Sequence, residues 1–450
     1  MSPLLALLGG WFLWWWSRRM KFRYRWVMLS LYAISPILVH GTELGRPDHQ
    51  SLSILLVALA ICAEWSFQNL KASCLAKRLD LDGGLKTAAP CSRSAAIRES
   101  RIALRIRGWA MISAAAWALA IWVSAYEPLV IFLIVITTSF LVNRRALFGR
   151  DRRAGWILFA AIIVGSLLIE QRIPSVATFE SNPILRNWLR TIGELAHVSP
   201  TNAIWLHWCG YLLLVAPFLI LINIRRREHG ATGACARPFY VLLIATYLLT
   251  IWQARWGYFF VLMVALALPA LLAPIKSPAA VWIAFVLSIL PILRDWDERL
   301  WPNETQLAAR VERRSESVQL RELALSLRSR DRHPFLAPWW LTPSITYWSW
   351  QPGIAGSSHE SLTGIEDSAR FFLSEDLETA KEILHNHRVT WVFAYDSERV
   401  AQNSAAILNQ ALPLHPLCRV LDRTPGQAQR FLIFSVQTAA FKLYRVADER

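Results

Sequence analysis

Three short stretches of this chain carry residue types that could do chemistry together. Asp48-His49-Gln50 ends a polar segment that begins at Gly45 and separates two apolar runs, Trp26 to Val39 and Leu52 to Ile61. It gathers a carboxylate, an imidazole and an amide beside Arg46, and nothing from Met1 to Thr42 is acidic. Ionisable groups at the end of an apolar run often mark an ion or substrate path; a plain polar turn between spans has the same composition. Thr191-Ile192-Gly193-Glu194, then His197 and Pro200, precedes an apolar run starting near Ala203, and Glu180 lies earlier in the same segment. Gln253-Ala254-Arg255-Trp256-Gly257-Tyr258 places a single Arg in a tight turn between two apolar runs.

Asp48 and Glu194 are carboxylates, and two acidic loops on one membrane face can share a divalent cation, which takes hard oxygen ligands. Arg255 suits a phosphate by charge and by its planar fork. An interfacial anchor among Trp neighbours is its other reading. A fourth cluster, Pro338-Trp339-Trp340-Leu341-Thr342-Pro343, lies far downstream and is followed by Gln351-Pro352-Gly353, His359 and Asp367 to Ser374. Paired Trp beside Pro are either core or a binding platform.

These residues must be positioned by a membrane protein. Of 450 residues, 54% are hydrophobic, and the mean hydropathy is +0.32. That composition excludes an ordinary soluble domain of this length. Many of the 23 Trp end apolar runs, among them Trp14, Trp15, Trp16, Trp252 and Trp256, as an interfacial belt requires. About ten candidate spans centre near residues 10, 32, 58, 116, 135, 162, 213, 246, 265 and 286. In the first, Leu4 to Trp16, the charges Arg18 and Arg19 follow the apolar stretch, opposite to a signal peptide. The segment Leu70 to Arg107 reads as a long connector, partly helical from Ser94. No charge is read at mid-span and no repeated halves are seen, which argues against a transporter.

Charge sets the expected orientation. The net charge is +16, but the basic residues sit in short loops: Arg18 to Arg25, Lys71 to Arg107, Arg144 to Arg153 and Arg225 to Arg227. No single domain carries them, so a nucleic-acid partner is not expected, and the positive-inside rule makes these loops cytoplasmic. Alternation puts the Asp48 segment, Gln171 to Ala203, the Arg255 turn and everything after about Arg294 on the outer face. The six cysteines, Cys62, Cys74, Cys91, Cys209, Cys235 and Cys418, form no CxxC or Cys/His pattern, so neither a disulfide framework nor a zinc site is indicated.

A soluble α/β domain is expected after the last span. Leu307, Val311, Val318, Leu320 and Leu323 follow helical spacing within Glu304 to Arg330. Val389 to Tyr395, Phe431 to Val436 and Ala440 to Val446 read as strands. Glu375 to His387 and Ser397 to Leu412 read as amphipathic helices around them. Asn303-Glu304-Thr305 matches a glycosylation sequon. The expected domains are 1–295, membrane-embedded, and 296–450, soluble.

In this order the stretches resemble the motifs of the catalytic subunit of oligosaccharyltransferases, membrane enzymes of the GT-C glycosyltransferase class. Asp48-His49-Gln50 resembles the family's second acidic motif, Asp-x-Asp/Glu/His. Thr191-Ile192-Gly193-Glu194 matches its Thr-Ile-x-Glu motif literally, with Pro200-Thr201 and a Trp-rich span after it. Arg255 and Tyr258 resemble its Arg-aromatic-x-Tyr turn, and Trp339-Trp340 the start of its Trp-Trp-Asp motif. The likeness runs from about residue 40 to residue 395. It has three departures: Leu341 stands where the family has Asp, Gln50 is a neutral ligand, and no acidic residue stands before Glu43, where the outer loop with the family's first acidic residue would lie. The chain reads as beginning one span late.

The resemblance implies a polytopic α-helical membrane protein of about ten spans with a C-terminal extracytoplasmic α/β domain. It implies transfer of a sugar or oligosaccharide from a polyprenyl-phosphate-linked donor to a protein or other acceptor at the outer face of a lipid bilayer. Asp48 and Glu194 would be catalytic, and with Gln50 would hold a divalent cation, Mg or Mn. Arg255 would bind the donor phosphate, and Trp339, Trp340 and Thr342 the acceptor. The expected location is the bacterial inner membrane. Two rivals stand beside this: a polyprenyl-monophosphate-sugar transferase of the same architecture, and an N-terminally truncated or non-catalytic homologue.

Overall fold

The computed structural model describes residues 2–41, 49–82, 93–171, 182–226, 237–329, 331–427 and 431–447. Its chain falls into two compact units, Met1–Pro174 with His197–Trp301, and Ser175–Ala196 with Pro302–Arg450.

The first unit is helical. Helices α1 (Ser2–Arg19), α2 (Arg25–Ile34), α3 (Pro36–His40), α4 (Gln50–Asp82), α5 (Arg93–Val123), α6 (Tyr126–Leu147) and α7 (Arg150–Glu170) run in order. After α8 (Pro183–Thr191), which belongs to the other unit, come α9 (Ile204–Cys209), α10 (Leu212–Arg226), α11 (Arg237–Trp252), α12 (Gly257–Leu272), α13 (Pro278–Ser288) and α14 (Leu290–Leu300). α12 is apolar all round and every one of its residues is buried, which is how a helix inside a bundle reads. It packs against α2, α11 and α10. Gly257, at its start, allows close approach: a Cβ there would lie 2.6 Å from Ile37 Cδ1 and 2.7 Å from Trp208 Cζ3.

Each of the ten expected span centres falls in a helix, but the expected count of spans is not reached. Among the described residues, four helices are long and apolar enough to cross a membrane: Gln50–Cys74, Ser100–Val123, Arg150–Glu170 and Ala254–Leu272. α13 and α14, bent by 48° at their junction, make a fifth if they count as one. Breaks shorten the rest. Pro36 separates α2 from α3, and Pro cannot continue the backbone ladder; Arg25–Ile34, Tyr126–Val142, Leu212–Asn223 and Phe239–Trp252 are apolar but shorter. The connector expected over Leu70 to Arg107 is mostly helix, because α4 continues to Asp82 and α5 starts at Arg93.

The reading that no charge stands at mid-span is also corrected. Glu64 lies well inside α4, and Arg152 of α7 grips it with two hydrogen bonds of 2.6 and 2.7 Å. Ser113 of α5 (3.1 Å) and Gln68 (2.9 Å) donate to the same carboxylate, and Gln68 also reaches Ser139 of α6. Phe67 and Trp156 cover the Arg152 guanidinium. Both charges are buried, so each needs the other and its hydrogen bonds. The network ties four helices together, and apolar periodicity gave no sign of it.

The second unit has a mixed sheet of β1 (Phe335–Leu336), β2 (Trp391–Tyr395), β3 (Leu432–Gln437) and β4 (Phe441–Val446) in the order β1-β2-β4-β3. β1 and β2 are parallel, with Phe335 opposite Trp391; β4 is antiparallel to β2, with Phe393 opposite Leu443, and to β3. Central β2 is buried from Val392 to Tyr395, as a β-branched and aromatic run in mid-sheet should be. Helices α15 (Glu304–Ser326), α16 (Thr342–Ser349), α17 (Leu362–Leu373), α18 (Leu377–Asn386), α19 (Ser397–Leu408) and α20 (Leu417–Arg423) surround it. Asn303, the residue of the sequon match, opens α15 through a capping box with Gln306. The expected strands and helices are all present, shifted by a few residues at their ends.

Candidate functional site

In the first unit the Arg255 turn is built by a short 3-10 helix, Ala254–Trp256, between α11 and α12. Trp256 is fully buried and anchors the turn, so Arg255 projects beside it. Its guanidinium forms an ion pair with Glu127 at the start of α6, through Nη2 and Oε1, and lies 5.7 Å from the Tyr126 ring centroid. The Ser124 hydroxyl donates to the other Glu127 oxygen, Oε2, at 2.6 Å. Glu127 is 6% exposed in its side chain and Arg255 24%. A small cleft of about 10 Å³, room for roughly one water in this conformation, lies alongside, lined by His49, Gln50, Ser53, Glu127, Arg255 and Tyr258 among others. Gln50 is the first residue of α4, so the end of the Asp48 segment enters the same cleft as Arg255. Asp48 itself lies outside the described residues, as does Glu180.

Glu127 was not among the expected site residues. The sequence carried a signal for it: a lone carboxylate opening an apolar run, in a turn that the alternation of basic loops places on the same face as Arg255.

In the second unit the Thr-Ile-x-Glu match follows α8. Asn182 caps that helix by accepting from the N–H groups of Ile184 (2.9 Å) and Leu185 (3.2 Å), and Pro183 takes the first turn. Its apolar face packs Leu185 and Trp188 against Ile365, Ala369 and Ile407, and Asn187 donates to the Ile407 carbonyl at 3.2 Å. The indole of Trp188 meets Trp339 edge-on, with centroids 5.5 Å apart. Glu194 lies in the 3-10 turn Gly193–Leu195 just beyond α8 and is partly exposed. The fold therefore brings the segment carrying Glu194 to the unit that carries the Trp pair.

Each Trp has a defined contact. Trp339 donates from Nε1 to Asn403 at 2.8 Å and meets Trp340 edge-on at 5.9 Å. Arg399 covers the Trp340 ring at 5.4 Å, and the Trp340 Nε1–H is buried with no hydrogen-bond partner among the described residues. Thr342 begins α16 and is buried. Its hydroxyl donates to the Pro338 carbonyl at 3.3 Å, and its methyl closes over Gly353, where a Cβ would lie 2.2 Å away.

Among the described residues no three His, Cys, Asp or Glu side chains stand close enough to hold a metal ion. Gln50 belongs to the first unit and Glu194 to the second. The donor chemistry of Asp48, Gln50 and Glu194, all oxygen, suits a hard cation such as Mg or Mn.

No family model matches the sequence, and no curated protein matches it by sequence. Solved structures do match the fold. The archaeal oligosaccharyltransferase AglB from Archaeoglobus fulgidus, in complex with an inhibitory peptide and a dolichol-phosphate, aligns over 100% of this chain with a TM-score of 0.53 and 13% identity. The Archaeoglobus fulgidus oligosaccharyltransferase tethered to an acceptor peptide containing the NVT sequon aligns over 90% with a TM-score of 0.52 and 13% identity. The fold is that of an archaeal oligosaccharyltransferase. The present chain spans 63% and 58% of the lengths of those two structures. The same Archaeoglobus enzyme complexed with Zn and sulfate matches with a TM-score of 0.50, 12% identity and 99% coverage of this chain, over 60% of its own.

Proposed function

We propose that this chain is a membrane glycosyltransferase of the GT-C class that moves a sugar or oligosaccharide from a polyprenyl-phosphate-linked donor to an acceptor, in the manner of an oligosaccharyltransferase. The observation that carries the reading is the cleft where Arg255 stands beside His49 and Gln50, the residues that directly follow Asp48. A guanidinium in a partly buried cleft is suited to a phosphate oxygen. The Archaeoglobus neighbours are bound to dolichol-phosphate in one case and to an acceptor peptide in another, which supports the same ligand classes here.

In this reading residues 1–295 form the catalytic membrane domain and residues 296–450 an extracytoplasmic domain, set in a bacterial inner membrane. Asp48 and Glu194 are catalytic, and with Gln50 they hold a divalent cation. When bound, such an ion supplies positive charge to orient the donor and offset developing negative charge. Arg255 takes the donor phosphate while apolar helices accommodate the polyprenyl chain. Trp339, Trp340 and Thr342 belong to the acceptor side. Glu194 and the Trp pair lie in one compact unit, which supports placing acceptor recognition and that carboxylate together.

The test is donor binding and single-turnover transfer by the full chain reconstituted in lipid, with a polyprenyl-diphosphate-linked glycan. Arg255→Ala is expected to abolish donor binding, and Arg255→Lys to weaken it, because Lys offers a point charge without the fork. Asp48→Ala is expected to leave binding and remove transfer. Undiminished donor binding by Arg255→Ala would leave that residue as an interfacial anchor and overturn the reading.

A further inference from the structure

The Arg255 site is not an open cation. Its partner Glu127 is itself aimed: Ser124 holds Oε2 at 2.6 Å, which leaves Oε1 to meet Arg255 Nη2. Both residues line the cleft that His49, Gln50 and Tyr258 share. The Glu127 carboxylate is nearly excluded from water, at 6% side-chain exposure, so screening between it and any anion in the cleft is weak. Arg255 Nε is buried and makes no hydrogen bond among the described residues. The guanidinium has five N–H donors, and the ion pair leaves that edge of the fork unspent.

We propose that Glu127 is a built-in counter-ion that holds Arg255 while the cleft is empty and competes with an isoprenoid-linked phosphate for it. The proposal rests on the reading of Arg255 as the donor-phosphate ligand. The Glu127–Arg255 pair is neutral overall, so an arriving phosphate meets a cation already balanced by a carboxylate. It gains the guanidinium by loosening that carboxylate, or shares the fork with a like charge close by, which is unfavourable. Either way Glu127 weakens phosphate binding. The spent carrier phosphate leaves more readily, because Glu127 is in place to recapture the guanidinium. Without this carboxylate Arg255 would face the anion alone and hold both donor and product more tightly. Glu127 is thus a positioning residue that sets the affinity of the site through Arg255.

The experiment is isothermal titration of the detergent-solubilised full chain with farnesyl phosphate, and separately with inorganic phosphate. Glu127→Gln keeps the shape and the Ser124 hydrogen bond and removes the charge; it is expected to bind farnesyl phosphate about tenfold more tightly than the parent chain, a typical coupling between interacting groups. In Arg255→Ala the binding is expected to vanish, and Glu127→Gln added to Arg255→Ala to restore none of it. Ser124→Ala, which releases the aim of Glu127 but retains the carboxylate, is expected to give a smaller gain in the same direction and serves if Glu127→Gln does not fold. Unchanged or weaker binding in Glu127→Gln, with binding still lost in Arg255→Ala, overturns the counter-ion role and leaves the phosphate reading intact. Binding that survives Arg255→Ala undiminished overturns the phosphate reading itself. A gain that persists in the double variant is a general charge effect and also overturns the proposal. An equal gain for inorganic phosphate assigns the cleft to free phosphate and overturns the isoprenoid part.

Discussion

Trp188 and Trp339 meet edge to face, with ring centroids 5.5 Å apart, in the core that α8 shares with α17 and α19. This contact fastens the segment carrying Glu194 to the unit carrying Trp339 and Trp340. Trp339 is consequently both a wedge, hydrogen-bonded to Asn403, and an edge-on neighbour of Trp340.

Burial of Trp188 should be worth a large part of that unit's stability. Trp188→Ala removes a side chain that is 2% exposed, and such a truncation costs about 3–5 kcal/mol through lost burial and the cavity left behind. Limited proteolysis should then cut between residues 182 and 196 at a protease concentration that leaves the parent chain whole. Equal resistance in the two proteins would mean that α8 is held by other contacts.

The Glu64–Arg152 pair should be intolerant of losing one partner and tolerant of losing both. Arg152→Met alone strands a buried carboxylate, at a cost of about 3–5 kcal/mol. Adding Glu64→Met should recover most of the loss, since a buried pair and a packed apolar pair are often equivalent. Thermal unfolding in one detergent reads both. Two additive losses would show that the two charges are not coupled and would remove the pairing from the account.

Acid should loosen the C-terminal unit through two aspartates. Asp376 caps α18 by accepting from the Thr379 hydroxyl and from the N–H groups of Glu378 and Thr379, which holds its carboxyl below the usual range. Burial works against ionisation of Asp422, but hydrogen bonds from Lys442 and Ser397, with the Lys442 charge, outweigh it and lower that carboxyl too. A folded-state value below the unfolded one stabilises the protein above the unfolded value of about 3.9 and is lost as pH falls through the folded value. Stability should therefore decline below about pH 4, and Asp422→Asn should flatten the decline while lowering stability at pH 7. A parallel decline in parent and variant between pH 5 and 3 would remove Asp422 from the account.

If the proposed transfer holds, acceptor selection should not follow the oligosaccharyltransferase hydroxyl contact. Leu341 offers no side-chain acceptor, and the Thr342 hydroxyl, turned to the Pro338 carbonyl, is buried. A site that reads a hydroxyl discriminates strongly against an acceptor lacking one. Transfer to an Asn-x-Thr peptide is accordingly expected to exceed transfer to Asn-x-Ala only slightly, with a polyprenyl-linked donor. A strong Thr preference that survives Thr342→Val would show another group reading the hydroxyl.

Much of this was legible along the chain because its signals are local. Apolar runs, interfacial Trp and the basic loops identify a helical membrane protein, and β-branched and aromatic runs identify β2, β3 and β4. Capping residues such as Asn182 and Asn303 mark helix starts, since their side chains bond to N–H groups only a few positions away. The order of the motifs along the chain is enough to point to the oligosaccharyltransferase fold. What the tertiary structure alone decided is which distant groups meet. Glu127 has no assigned role in the sequence, and the fold sets it against Arg255. Glu64 was lost in an apolar run because its partner, Arg152, lies on another helix, and burial of a charge is made tolerable only by that partner. Trp188 and Trp339 were separate aromatics until α8 was drawn into the C-terminal core. Periodicity records which face of an element is buried; pairing across elements depends on how the faces pack, and no local pattern encodes it.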